Sequence, residues 1–303
     1  MTFSIVARDP ETDAVGVAVQ SKFVGVGAVV PFASADAGAI ATQSFANVAY
    51  GPDGLELLRE GHSASGVVDE LTSADDEAPQ RQVGVVGQDG SVAAFTGEEC
   101  FEYASDRQGE HYTVQGNILE NRETVDAMAD AFEATDGGLP EKLIAALHAG
   151  NDAGGDRRGE QSAALYVAKP EGGYDGKNDR WIDVRVDDHD APIDELERVF
   201  RIYDITLLER EDPEEYATLD GDTAEAVEAT LADLGFYDGT PSREFDAAAR
   251  DALEDFRGMN NFENHDLDAL EDALARGWAD ADGGGEDRMV NAIWHGLQRL
   301  DRK

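Results

Sequence analysis

A chain of 303 residues carries 65 Asp and Glu against 24 Lys and Arg, a formal net charge of −41. That balance repels nucleic acid and anionic membranes, and with no basic run to offset it neither is expected as a partner. With 41% hydrophobic residues the chain is too apolar for a disordered polyanion, and its length predicts one large domain plus a smaller one.

Self-repulsion on this scale is tolerable where salt screens it, since the Debye length falls to about 3 Å at 1 M. The composition therefore predicts a halophilic protein with an acidic surface, from a cytosol holding molar salt. Lysine is nearly eliminated; only Lys22, Lys142, Lys169, Lys177 and Lys303 occur. The single Cys100 excludes an intramolecular disulfide and a cysteine zinc cluster, and is expected as a small core residue. No apolar run approaches the roughly 20 residues of a membrane span, and the N-terminus shows neither a basic leader nor an apolar signal core, so a cytoplasmic location is expected.

The chain opens with strand patterns at 2–8 and 14–21, joined by the turn Asp9-Pro10-Glu11-Thr12-Asp13. In the second strand Val15, Val17 and Val19 share one face, while Gly16, Ala18, Gln20 and Lys22 share the other. Residues 25–30 and 38–44 are predicted to continue the sheet. Amphipathic helices follow at about 51–60 and 63–72, the second with Ser63 as N-cap. Strands are expected at about 81–87, 91–96 and 111–118, helices at about 121–134 and 139–149, strands at about 160–168 and 179–186, and a helix at about 192–210. Strands and helices thus come in groups. Grouping of this kind argues against a doubly wound parallel sheet and for an α+β fold of antiparallel sheets with helices outside, a four-layer αββα sandwich.

The charged, proline-containing segment 209–215 marks a boundary, giving domains 1–212 and 217–303. The second reads as short helices around Gly235-Phe236-Tyr237-Asp238-Gly239, a small helical accessory module. Gly283-Gly284-Gly285 is not followed by the Lys-Ser/Thr of a phosphate cradle, and no cofactor fingerprint appears, so no cofactor is expected.

Thr2 stands directly behind Met1 at the head of the first strand. Met1 removal would expose a hydroxyl nucleophile whose own α-amine, of ordinary pKa about 7.7–8.0, serves as its base. Lys22 closes the second strand, either as a surface lysine or as a neighbouring charge that lowers the pKa of that amine. Asn117 ends a strand ahead of a helix, where it reads equally as a turn cap or as a donor to a developing oxyanion. Gln43, in Ala41-Thr42-Gln43, ends another strand. The segment Asn47 to Pro52, with Tyr50, leads into the first helix and reads as a turn or a pocket wall. Asp156-Arg157-Arg158 places two adjacent arginines in a very acidic chain, for an ion pair with Asp156 or for a carboxylate-bearing substrate. Asp187-Asp188-His189-Asp190 lacks metal-ligand spacing and reads as a solvated turn, so no metal is expected.

Together, Met1 to Asp9, Val17 to Lys22, Ala41-Thr42-Gln43, Tyr50-Gly51, Val114-Gln115-Gly116-Asn117, Gly155-Asp156, Arg158-Gly159, Gln161-Ser162-Ala163-Ala164 and Val186-Asp187-Asp188-His189 resemble the family called domain of unknown function 1028. That family is placed among the N-terminal-nucleophile (Ntn) hydrolases. The resemblance covers about residues 1–210 and implies the αββα sandwich, with Thr2 as nucleophile. Leu234 to Gly239 and Ala248 to Phe256 resemble a peptidoglycan-binding-like module found in some members. The expected activity is hydrolysis of an amide bond in a small molecule or peptide. Thr2, Lys22 and Asn117 are its catalytic candidates, and Gln43, Asn47, Tyr50, Asp156 and Arg158 its substrate-binding candidates. The competing expectation is a non-catalytic binding or assembly protein on the same scaffold; a homodimer is compatible with either.

Overall fold

The computed structural model describes residues 2–174 and 176–303; Met1, whose removal the sequence predicts, lies outside them. It is a mixed α/β structure with antiparallel sheets and a helical C-terminal region. Two compact units divide at Glu197/Arg198, earlier in the chain than the charged segment 209–215.

The first unit holds two sheets. Strands β1 (Thr2–Arg8) and β2 (Val15–Ser21) form an antiparallel hairpin with Val6 opposite Val17. The strands β3 (Pro31–Ser34), β4 (Gly38–Ser44), β5 (Arg81–Gly87) and β6 (Val92–Thr96) pair in chain order as a four-stranded sheet. The hairpin joins β7 (Ser105–Gly109), β8 (Tyr112–Asn117), β9 (Ser162–Ala168) and β10 (Arg180–Val186) in a six-stranded sheet of order β10-β9-β2-β1-β8-β7. Thr2 lies opposite Asn117 across β1 and β8, so β1 is flanked on both sides and its first residue is held in a strand pair.

The period-two pattern read from β2 is realised in the packing. Val6, Val15, Val17 and Val19 meet Ala33, Ala39, Ala41 and Val86 in one buried cluster, where β1 packs on β4, β8 on β5 and β2 on β3. Small alanines on one side let the sheets approach while valines fill the space. Each fully buried aliphatic side chain contributes about 1.5–3 kcal/mol. Helices α1 (Tyr50–Arg59) and α2 (Ala64–Ser73) cover the other face of the four-stranded sheet through Leu55, Leu58, Val67 and Leu71. The Ser63 hydroxyl accepts the Gly66 N–H at 3.3 Å, as its position ahead of α2 predicts. Helices α3 (Glu123–Ala134) and α4 (Leu139–Asp152) pack on the six-stranded sheet.

Residues 25–30 do not form the expected strand. Gly25 takes φ +66°, in the left-handed region open to glycine, and a short 3-10 turn follows at Val26–Ala28. The Gly25 N–H is bonded to the Asp187 carbonyl at 2.9 Å, so the segment folds back toward the end of β10 and the strand resumes only at Pro31. The edge strand β7, sequence SDRQG, has no apolar alternation and gave no sequence signal. Cys100 is half-buried rather than a core residue, with Sγ on the Arg81 carbonyl at 3.3 Å.

Helix α5 (Pro192–Leu207) contains the division between the units. The second unit contains α6 (Gly221–Asp233), α7 (Ala247–Met259), α8 (Leu267–Gly277) and α9 (Gly285–Leu297). Val227, Leu231, Leu253, Phe256, Leu270, Leu274 and Ile293 share its core. Helices α8 and α9 cross at Gly277 and Gly296, where a Cβ would lie 2.0 Å from the Ala292 and Ala273 carbonyls respectively. Buried Asp204 is held by Arg210 at 2.5 Å, Arg302 at 2.7 Å and the Trp294 indole N–H at 3.1 Å.

Candidate active site

Thr2 is buried to 7% exposure at the start of β1, and its Oγ1 lies 3.1 Å from the Oγ of Ser21, the last residue of β2. Both line a cavity of about 380 Å³ with Phe23, Val26, Gln43, Phe45, Arg81 and Arg158 in its walls. The hairpin turn places residues 2 and 21 at the same sheet end; Phe3 opposite Gln20 sets this register.

Behind Thr2 the layer between the sheets changes from valine and alanine to amides and hydroxyls. Ser4 donates to Gln43 Oε1 at 2.7 Å and accepts from Gln115 Nε2 at 2.6 Å. Gln43 Nε2 donates to Gln82 Oε1 at 2.8 Å and to the Thr2 carbonyl at 3.4 Å. Asn117 Nδ2 reaches the same two acceptors, at 3.0 and 3.4 Å. Gln82 Nε2 donates in turn to the Gly116 carbonyl at 2.9 Å and Thr96 Oγ1 at 3.0 Å. Buried amides are tolerated when bonded to one another, and here they tie β1, β4, β5 and β8 together around Thr2. Asn117 Oδ1 is a buried acceptor with no hydrogen-bond partner. Gly84 makes room for the network, since a Cβ there would lie 2.2 Å from Gln115 Oε1.

The sequence candidates separate into two groups. Thr2, Gln43 and Arg158 meet at the cavity, and Asn117 stands behind Thr2. Asp156 is buried, its Oδ2 accepting the Lys22 N–H at 2.8 Å and its Oδ1 the Arg158 N–H at 2.8 Å. It fixes the turn that carries Arg158, whose guanidinium approaches Asp156 Oδ2 at 3.4 Å. The Lys22 ammonium is exposed and donates to the Glu160 carbonyl at 2.8 Å; the cavity lining does not include it. Arg157 donates to the Glu102 carbonyl at 3.1 Å.

Asn47 and Tyr50 line a neighbouring cavity with Asp75 instead. Asp75 Oδ2 accepts from Asn47 at 3.2 Å, the Tyr50 hydroxyl at 3.0 Å and Arg81 Nε at 3.0 Å. Arg81, with help from the Glu77 N–H, Asn47 and Tyr50, holds the Asp75 carboxyl far below the usual carboxylate range against the opposing effect of burial. Burial and the adjacent Asp75 charge push the Tyr50 phenol well above its ordinary value. Arg81 links this cluster to the Thr2 cavity, which it lines, and also bonds the Phe45 carbonyl. In the segment 187–190, Asp188 accepts from the Gln161 side chain at 3.0 Å and the His189 N–H bonds the Gln161 carbonyl at 2.8 Å.

Ser4, Ser21, Gln82 and Gln115 are not among the sequence candidates for the site, although Ser4, Ser21 and Gln115 lie within the family-like segments. Strand parity is a further signal for the two serines: it places Ser4 and Ser21 on the faces of Val6 and Val19, where a hydroxyl interrupts an apolar row.

Residues 2–196 match the family model described as "Family of unknown function (DUF1028)". Residues 206–294 match one described as "Putative peptidoglycan binding domain", so the C-terminal region is a peptidoglycan-binding-like domain. No match was found among curated proteins. A crystal structure of protein SPO2555 from Silicibacter pomeroyi, also assigned to DUF1028, is 33% identical, covers 67% of this chain and 86% of its own, and has a TM-score of 0.62. With the family match spanning well over half its length, the chain belongs to the family of unknown function DUF1028.

Proposed function

We propose that the chain is an N-terminal-nucleophile amidohydrolase on a four-layer αββα sandwich, cleaving an amide bond of a small molecule or peptide once Met1 is removed. The observation that carries this reading is the position of Thr2: first in a central strand, with its hydroxyl on Ser21 and in the wall of a cavity. Two facing antiparallel sheets, each with a helix pair on its outer side, support the sandwich.

In this mechanism Thr2 Oγ1 attacks the amide carbonyl carbon while its proton passes to the Thr2 α-amine. The tetrahedral adduct collapses with loss of the amine leaving group, which takes that proton. Water then attacks the resulting ester with the same amine as base, releasing the carboxylic acid and restoring Thr2. Ser21 orients the attacking hydroxyl. The glutamine network holds the Thr2 carbonyl and excludes water from behind it. Asn117 shares with Gln43 the hydrogen bond to the Thr2 carbonyl at the reacting end of β1 and supports the oxyanion side of the site from there, while Lys22 acts on the amine only through its field, because its ammonium is bonded to the Glu160 carbonyl. Asp156 sets the Arg158 turn.

The low exposure of Thr2 favours a second reading, a binding or assembly protein in which Thr2 is only a packed strand residue. Intact mass and labelling by a hydroxyl-directed β-lactone separate the two. The hydrolase reading expects Met1 absent, one label on Thr2, no label in Thr2→Ala and partial retention in Thr2→Ser. An active preparation that retains Met1 would exclude it.

A further inference from the structure

The Thr2 cavity differs in charge from its surroundings. Two other cavities on the same unit, of about 750 and 450 Å³, have three and five acidic residues in their linings and no basic one. In a chain with 65 acidic and 24 basic residues that is the expected outcome. The Thr2 cavity reverses it: Arg81 and Arg158 line it, and among the described residues no Asp or Glu does.

The two arginines are not equivalent. Arg81 is 12% exposed and sits between Asp75 at 3.0 Å and Glu77 at 2.5 Å, so two carboxylates already offset its charge. Arg158 is 44% exposed, is paired with the fully covered Asp156 carboxylate at 3.4 Å, and projects from the turn that this carboxylate anchors. A planar guanidinium at such a rim matches a carboxylate in the two-pronged geometry that lysine cannot reproduce. The remaining wall is apolar. Phe23 and Phe45 line the cavity yet are 50% and 52% exposed, leaving ring surface for an apolar group to cover. At about 380 Å³ the cavity lies near the lower end of the range of about 300–1,000 Å³ for small-molecule sites.

We propose that the cavity takes a small amide carrying a carboxylate beside the amide nitrogen and an apolar group, the chemistry of an N-acyl amino acid, with Arg158 binding the carboxylate and Phe23 and Phe45 the apolar group. As a statement about substrate it rests on Thr2 being the nucleophile. Attack at the acyl carbon then releases the amino acid and forms the Thr2 ester, which water hydrolyses to the acid.

The test uses the full chain as Thr2→Ala, to prevent turnover, and compares binding of N-acetyl-leucine with that of N-acetyl-leucinamide by calorimetry. The expected result is at least tenfold tighter binding of the carboxylate. Adding Arg158→Met should equalise the two ligands, and adding Arg158→Lys should leave an intermediate preference, with circular dichroism showing each variant folded. Equal affinities in the Arg158 protein, no binding of N-acetyl-leucine at millimolar concentration, or a preference that survives Arg158→Met would overturn the assignment. β-Lactone labelling of the otherwise unchanged chain reports on Thr2 separately. Labelling without a carboxylate preference removes the carboxylate site alone; a preference without labelling removes the hydrolase reading alone.

Discussion

Thr2 Oγ1 and Ser21 Oγ lie 3.1 Å apart at one end of the β1–β2 hairpin. A single hydroxyl hydrogen bond is worth about 0.5–1.5 kcal/mol, enough to select one rotamer of a threonine whose branched Cβ already limits it. Ser21→Ala is expected to slow β-lactone labelling of Thr2 by about three- to tenfold, the kinetic equivalent of that energy, with little change in melting temperature. An unchanged labelling rate would show that Ser21 does not position the nucleophile.

The interior amides predict a larger effect on stability. Gln82 accepts from Gln43 and Asn117 and donates to Thr96 and the Gly116 carbonyl. Gln82→Leu removes one hydrogen bond from each of those buried groups, at a cost of up to about 1–3 kcal/mol apiece where water cannot replace the bond. A loss on the order of 3 kcal/mol is expected in denaturant unfolding, with slower labelling of Thr2 because its carbonyl loses the support of Gln43 and Asn117. A loss below about 0.5 kcal/mol, the level of ordinary surface substitutions, would mean that water fills the layer.

His148 on α4 bonds Glu197 on α5 at 2.8 Å, and this bond raises the imidazole pKa against the opposing effect of burial. A folded pKa above the unfolded value of about 6.5 means that the pair stabilises fully below that value. The contribution is lost as pH rises through the folded pKa. The melting-temperature difference between the native sequence and His148→Gln should therefore be largest near pH ~5.5 and shrink toward pH ~8.5. A difference that grows with pH would contradict the assignment.

The net charge of −41 makes salt a stability variable. Raising KCl from about 0.1 M to 1 M shortens the Debye length from about 10 Å to about 3 Å, which removes most repulsion between exposed carboxylates. Thermal melts across that range should show a steep rise. A flat profile would assign the acidity to a cationic partner instead.

The order and type of most elements were legible because each follows from contacts a few residues apart. Alternating valines in 15–19 predict a strand with one buried face, and Ser63 predicts the start of α2. Where the pattern misled, a nonlocal bond decided: residues 25–30 look like a strand, but Gly25 turns at φ +66° and bonds Asp187. The polar strand β7 carries no apolar alternation, so pairing with β8 alone reveals it.

For the site, position behind Met1 and the family resemblance marked Thr2 as a candidate, because a proposed nucleophile with its own amine as base is defined by its place at the start of the chain. Charge and composition likewise follow from counting. Which groups surround Thr2 does not. Ser21 reaches it through hairpin register, the amides of Gln43, Gln82 and Gln115 meet from three separate strands, and Arg158 arrives from a turn held by Asp156. Asn47 and Tyr50, also candidates from the sequence, are drawn to Asp75 next door, where Arg81 bonds the same carboxylate. A glutamine on a strand reads the same whether it faces water or another glutamine; only the packing of one sheet on the other removes the water and makes its hydrogen bonds obligatory.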